Sequence, residues 1–201
     1  LDNAATSQKP ACVINAISDY YTHTNSNVHR GVYELAEDAE NLYHQARKSI
    51  ARRFNVTVDQ VVFVRGATEG LNLVAQSFGP LVLEQGDAMI LSEMEHHANI
   101  VPWQILSQKI GFEIRVCPSL SDGSLDREWI SREFRKKNLK LIALTALSNT
   151  LGTVNPIEEI VAEARQYGIK IVIDGAQSVP HQKIDFQKLG CDFFAFSGHK
   201  I

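Results

Sequence analysis

Apolar residues form short continuous runs from about residue 60 onward, and longer amphipathic stretches separate these runs. The runs are rich in β-branched residues, which is typical of strands buried on both faces of a sheet. They predict strands at 61–64, 88–91, 113–116, 139–147, 171–173 and 193–196. The stretches between them predict helices near 68–79, 98–110, 126–136 and 157–167. This alternation indicates an α/β fold whose mostly parallel sheet is covered by helices.

The first 60 residues follow a different pattern, with two predicted helices at 8–22 and 35–54 and a polar, loop-like stretch at 24–31. One face of the second helix carries the apolar residues Leu35, Ala39, Leu42, Ala46 and Ile50. We therefore expect an N-terminal helical segment over 1–60 and an α/β domain over 61–201.

The composition is that of a globular protein, because hydrophobic residues make up 44% of the 201 positions and charged residues 21%. A net charge of −3 gives no electrostatic reason to expect nucleic acid or an acidic membrane as a partner. No apolar stretch approaches the roughly 20 residues that span a bilayer, and residues 1–5 do not begin a signal peptide. Cys12, Cys117 and Cys191 form no CxxC pair, which is typical of reduced thiols. We expect a cytoplasmic protein without nucleic-acid or membrane partners.

Polar clusters follow several of the apolar runs, and ligands of α/β sheets bind at the carboxyl ends of the strands. The first cluster, RGATEG at 65–70, opens a predicted helix. Backbone N–H groups, glycine and the Thr68 hydroxyl there would suit an anion, although Thr68 could equally be an ordinary helix cap. The cluster matches neither GxGxxG nor a Walker loop, so dinucleotide and nucleoside triphosphate sites are not supported.

The second cluster, EMEHHAN at 93–99, contains the adjacent residues His96 and His97. Such a pair could ligate a metal, supply a ring for stacking or acid–base chemistry, or be structural. Neighbouring histidines point in different directions on a helix, unlike the pair in HExxH, so we predict no metal site.

The last two clusters supply an acid and an amine. Asp174 ends an apolar run, where it could be a cap, a structural ion pair or the partner of a pyridinium nitrogen. Lys200 follows the run at 193–196, and a lysine is most often a surface charge. An anion cradle, a flat histidine, a buried acid and a lysine nucleophile are together the complementary parts of a pyridoxal phosphate (PLP) site.

The order of these motifs resembles a known family, the PLP-dependent class V aminotransferases. Within it, the chain is most similar to the cysteine desulfurases of the sulfur-mobilisation (selenocysteine lyase-like) group. The matching stretches are LDNAA at 1–5, VHRG at 28–31, FVRGATEGLN at 63–72, MEHHANIVPW at 94–103, SNTLGT at 148–153, DGAQ at 174–177 and SGHK at 197–200. The resemblance implies the α/β large domain of a fold type I PLP-dependent transferase.

The resemblance also implies roles for individual residues. Lys200 matches the lysine that binds the PLP aldehyde, Asp174 the pyridinium partner, and His96 the ring-stacking histidine that also handles protons. The other matches at the cofactor are Gln177 near the phenolic oxygen and a phosphate-binding set, which consists of Ala67, Thr68, Ser197 and His199. The positions on the substrate side are Ala4, Ala5, His29 and Asn149.

The implied reaction converts L-cysteine to L-alanine and passes the sulfur to an enzyme persulfide that feeds iron–sulfur cluster assembly. A homodimer and a sulfur-acceptor protein are implied as well. The family's persulfide cysteine and substrate-binding arginine lie well beyond its lysine, and none of the three cysteines here matches. We therefore expect that the chain corresponds to the first half of such an enzyme and cannot complete the reaction alone. Selenocysteine lyase on L-selenocysteine, another class V enzyme such as an aminotransferase or epimerase, and a non-catalytic scaffold remain alternatives.

Overall fold

The computed structural model describes residues 2–29 and 31–201. Leu1 and Arg30, which belong to two of the quoted motifs, lie outside the described residues. Five parallel strands form one sheet in the order β2-β1-β3-β4-β5. Their bounds are β1 Ala88–Ser92, β2 Glu113–Cys117, β3 Leu139–Thr145, β4 Lys170–Asp174 and β5 Phe193–Ala195. The predicted α/β fold with a parallel sheet is confirmed.

Among the described residues, four α-helices precede β1, and one lies between each pair of successive strands. Their bounds are α1 Ala11–Asp19, α2 Glu34–Phe54, α3 Ala67–Ser77, α4 Gly79–Val82, α5 Val101–Ile110, α6 Arg127–Phe134, α7 Ile157–Gln166 and α8 Phe186–Leu189. A π-helical turn, Tyr20–Thr24, continues α1, and short 3-10 helices occupy Val58–Gln60, His97–Asn99 and Gly198–Lys200. No helix in the described part of the chain is both long enough and apolar enough to cross a membrane.

The strand predicted at 61–64 is wrong. These four residues form neither a helix nor a strand, and the side chain of Val62 is 65% exposed. The Arg47 guanidinium donates to the carbonyl oxygen of Val61, so the hydrogen-bond partner of this carbonyl group is a side chain and not the backbone of a neighbouring strand. Apolar content alone does not make a strand, because a strand also needs a hydrogen-bonding neighbour.

The chain divides into two compact units. Unit 1 comprises Leu1–Phe63 with Asp185–Gln187, and unit 2 comprises Val64–Ile184 with Lys188–Ile201. In unit 1, α1 has no buried residue, and the buried positions of α2 are Ala36, Ala39, Ala51 and Phe54. The predicted apolar face of α2 is therefore partly wrong, since Leu35 and Leu42 are exposed while alanines line the buried stripe.

Unit 2 contains the core of the sheet. Side chains on one face, including Met89, Leu141 and Val172, pack with Leu71 of α3 and Trp103 of α5. Alternate strand positions point to the other face, and they too are fully buried: Ile90, Ile142, Leu144, Ile171 and Ile173. The central strands β1, β3 and β4 are buried on both faces, which leaves their ends as the places for polar chemistry.

Candidate active site

The carboxyl ends of β1, β3, β4 and β5 lie at one edge of the sheet, because the four strands are parallel. Thr145 pairs with Asp174, and Asp174 pairs with Ala195. The ladder continues past the strands, since Ala146 N donates to Asp174 O at 2.9 Å and Gly175 N donates to Ala195 O at 2.7 Å. These bonds fix the backbone on both sides of the Asp174 side chain.

Asp174 is only 4% exposed. Its Oδ1 accepts a hydrogen bond from Ala176 N at 2.9 Å. Gly175 must be glycine, because a Cβ there would lie 2.1 Å from the Phe194 ring. The Phe194 ring therefore lies directly against the backbone that follows Asp174.

Burial raises the pKa of Asp174, while the Ala176 hydrogen bond and the charges of His96 and Lys200 lower the pKa in part. The acid, the histidine and the lysine predicted for the site are therefore close enough to interact electrostatically. The cost of desolvating the Asp174 carboxylate exceeds the stabilisation from this hydrogen bond and these two charges. The described residues therefore do not fully compensate its negative charge.

His96 is the N-cap of the 3-10 helix His97–Asn99. Its Nδ1 accepts a hydrogen bond from Ala98 N at 3.1 Å. A backbone N–H can only donate, so the neutral ring carries its proton on Nε2. The His97 ring is nearly perpendicular, at 87° with a centroid distance of 6.1 Å, so the two imidazoles face different directions.

The N-terminus of α3 meets the end of β5 at Ser197. Ala67 N donates to Ser197 Oγ at 2.9 Å, and both residues are buried. Gly66 permits this contact, because a Cβ there would lie 3.1 Å from Ser197 Oγ. The first turn of this 11-residue helix, with Thr68 exposed beside Ala67, can bind an anion through backbone N–H groups and hydroxyls.

The remaining predicted residues of unit 2 lie in loops at the same strand ends. Gln177 is buried in the turn after β4, and His199 and Lys200 belong to the 3-10 turn after β5. Asn149 is exposed in the loop after β3, where its Nδ2 donates to Thr150 Oγ1 at 3.3 Å.

The other three predicted residues, Ala4, Ala5 and His29, belong to unit 1. Ala5 N donates to Asp2 Oδ1 at 3.2 Å. His29 has a positive φ of 74°, and its Nδ1 lies 3.2 Å from Glu40 Oε1. Glu40 also approaches His44, and the hydrogen bond to His29 is the main cause of its lowered pKa.

The family model described as "Aminotransferase class-V" matches residues 1–201, the whole chain. The chain belongs to the class-V aminotransferase family.

Relatives within the class-V family carry more specific names. A cysteine desulfurase of Serratia proteamaculans is 48% identical over all of this chain and 50% of its own length. The apo structure of a cysteine desulfurase from Thermococcus onnurineus is 36% identical with a TM-score of 0.94, over 98% of this chain and 49% of that one. A C-DES mutant with glycine covalently linked to the PLP cofactor is 25% identical with a TM-score of 0.84, over 99% of this chain and 52% of that one. The chain spans about half the length of these relatives.

Glu95 is a buried residue close to these strand ends to which the sequence analysis assigns no role. It is 7% exposed and accepts hydrogen bonds from Ser92 Oγ at 2.5 Å, Asn99 Nδ2 at 2.7 Å and Thr145 N at 2.9 Å. Burial and, to a smaller extent, the charge of Asp174 raise the pKa of Glu95 to about 7, although these three hydrogen bonds lower it in part. The position directly before His96 is its only signal in the sequence.

Two of the three cysteines are unsuited to nucleophilic chemistry. Cys117 and Cys191 are buried, and burial raises the pKa of each thiol to about 12. A thiol with so high a pKa supplies almost no thiolate near neutrality. Cys12 is exposed.

Proposed function

We propose that the full-length protein is a PLP-dependent cysteine desulfurase, which converts L-cysteine to L-alanine and passes the sulfur to an enzyme thiolate. Membership of the class-V family and relatives named cysteine desulfurase support this proposal. The observation that carries it is the buried Asp174 carboxyl, whose pKa responds to both His96 and Lys200 at one edge of the sheet. The likeness also favours a cytoplasmic homodimer, a sulfur-acceptor protein and a role in iron–sulfur cluster assembly.

The donor set fits PLP. A buried carboxyl group whose ionised form is under-compensated is suited to a protonated ring nitrogen, which would supply the missing positive charge. The first turn of α3, with Ala67 and Thr68, together with Ser197 and His199 would hold the phosphate. Gln177, one turn beyond Asp174, is the candidate neighbour of the phenolic oxygen.

When bound, PLP supplies an electron sink for a carbanion at the substrate Cα. Asp174 would keep the ring nitrogen protonated. Lys200 would hold the cofactor through Nζ before the reaction and take the Cα proton at that atom afterwards. His96 would stack its flat ring on the cofactor and offer the proton on Nε2, the nitrogen that Ala98 leaves available.

By resemblance to the family, Ala4, Ala5, His29 and Asn149 would be the residues on the substrate side. In the transfer step the Cβ–S bond of cysteine breaks, an S–S bond forms with an acceptor thiolate, and protonation of the carbon skeleton gives alanine. High thiol pKa values make Cys117 and Cys191 poor acceptors. Cys12 is exposed but does not match the position of the family's persulfide cysteine, so we assign this role to none of the three cysteines.

The test uses the full-length protein, incubated with PLP and then treated with borohydride. We expect one covalently fixed PLP per chain, at Lys200 in peptide mapping, and equal yields of alanine and persulfide sulfur from L-cysteine. The Lys200→Ala variant should lose both labelling and alanine formation. Fixation at another lysine would contradict the assignment of Lys200, and cofactor binding without alanine formation would contradict the proposed reaction.

A further inference from the structure

The buried carboxyl of Glu95 joins three elements of unit 2. Oε1 accepts from Ser92 Oγ at the end of β1 and from Thr145 N at the end of β3, while Oε2 accepts from Asn99 Nδ2. Asn99 Oδ1 in turn accepts from Trp103 Nε1 of α5 at 3.1 Å. All five residues are buried, so each bond stands in a low-dielectric surrounding.

The direction of this chain of hydrogen bonds is fixed. The indole of Trp103 can only donate, so Asn99 must present its oxygen to Trp103 and its amide N–H₂ to Glu95. The backbone N–H of Thr145 can also only donate. The side chain at 95 must therefore accept at both oxygens, which a carboxylate does and an amide cannot.

His96 lies between Glu95 and the 3-10 helix that Asn99 ends. The Ala98 N–H holds its Nδ1, and Glu95 and Asn99 fix the backbone before and after this short segment. We infer that Glu95 is a positioning residue for His96, whose carboxyl clamps the segment from Ser92 to Asn99 against β3 and sets the plane of the imidazole ring. The inference rests on the proposed function, because the ring plane matters only if it stacks on a planar cofactor.

A purely structural role for Glu95 would predict a loss of stability and nothing else. The exchange of Glu95 for glutamine tests the difference, because it keeps the shape and places an N–H₂ group against the N–H₂ of Asn99. Glu95→Gln combined with Asn99→Asp reverses the polarity of that one bond, while the carboxylate introduced at position 99 still accepts from Trp103. The double variant should therefore rescue what the single variant loses.

The experiment compares these variants in the full-length holoenzyme by the circular dichroism of the bound PLP chromophore, the PLP dissociation constant and kcat. For Glu95→Gln we expect a weakened PLP dichroism band and an about tenfold loss in PLP affinity and kcat, the size of one lost buried hydrogen bond. The double variant should recover most of the band. The matched control is Glu133→Gln, since Glu133 is an equally buried carboxyl on α6 that pairs with Arg115 and Lys136. It should lower the urea midpoint of the apoprotein and leave the dichroism band unchanged.

A Glu95→Gln variant that is less stable but has the parent's dichroism band and kcat would overturn the inference. So would a double variant that regains its urea midpoint without regaining the band. If Glu95→Gln does not fold, Ser92→Ala removes one donor to Oε1 and should weaken the band by a smaller amount, and an unchanged band there would also overturn the inference. Failure of the proposed function is distinguishable, because the parent protein itself would then form no alanine.

Discussion

The strand ends of β1 and β4 each carry a buried carboxyl group, and the two groups have opposite surroundings. Glu95, three residues after β1, accepts three hydrogen bonds from Ser92, Asn99 and Thr145. Asp174, the last residue of β4, accepts one hydrogen bond from the described residues, and its other favourable contributions are the charges of His96 and Lys200. Burial raises the pKa of both carboxyl groups, so neither charge is fully compensated. Glu95 is surrounded by neutral donors of its own unit, whereas Asp174 has one such donor and lies near positive charge.

This difference separates a structural clamp from a site for chemistry. A buried carboxylate is stable when donors or a cation replace the lost water, and it is destabilising when neither does so fully. Asp174 differs from Glu95 in having one neutral donor and nearby cationic side chains, which are surroundings that a cationic ligand would complete. Acids with perturbed pKa values cluster at functional sites. The proposals for the two residues follow from this contrast, and variants of each residue test it.

The largest expected effect is on catalysis. Asp174→Ala in the full-length protein should lower kcat for alanine formation by at least about 100-fold, because the fixed negative charge opposite the cofactor ring is lost. The matched control is Asp192→Ala, which removes a carboxylate that accepts from Ile171 N at the opposite end of β4. It should leave kcat within about threefold of the parent, a change below about 1 kcal/mol. A kcat of Asp174→Ala close to that of the parent would contradict the proposal that the end of β4, unlike the end of β1, is a site of chemistry.

The second effect is on stability, and it should have opposite signs at the two positions. Asp174→Asn keeps an oxygen for the Ala176 N–H and removes an under-compensated charge, so the apoprotein should gain about 1 kcal/mol in free energy of unfolding. Glu95→Gln should lose about 1–3 kcal/mol, because two buried donors then face each other. Urea titrations of the apoproteins make the comparison, near pH 5 for Glu95→Gln, where the parent carboxyl at position 95 is uncharged, and above pH 7 for Asp174→Asn. Changes of the same sign would contradict the contrast drawn here.

Features of the fold and of the candidate site can be predicted from the sequence when neighbouring residues determine them. The run that ends in Asp174 predicts a strand and places the acid at its carboxyl end, so both the fold and this site residue follow from neighbouring positions. The run at 61–64 has the same apolar character but forms no strand, because pairing is decided by partners far away in the sequence. The hydrogen bonds of Glu95 could not be predicted from the sequence either, because one of its donors, Thr145 N, lies 50 residues away along the chain.

The third effect is a pH dependence of apoprotein stability that Glu95 controls. Its pKa rises from 4.5 to about 7 on folding, so between these values the folded protein retains a proton that the unfolded chain releases. The free energy of unfolding should therefore fall as pH rises through this window, by about 1 kcal/mol per pH unit, and level off above it. Urea midpoints measured from pH 5 to 8 should show this slope in the parent and a flatter curve in Glu95→Gln.

The same titration in Asp174→Asn connects the two carboxyl groups. The charge of Asp174 is one of the causes that raise the pKa of Glu95, so its removal should move the upper end of the window below pH 7. The raised pKa of Asp174 adds a slope of the same sign in the parent, which this variant also removes. A parent-like slope in both variants would mean that neither buried carboxyl takes up a proton on folding, and the electrostatic part of the comparison would then be wrong.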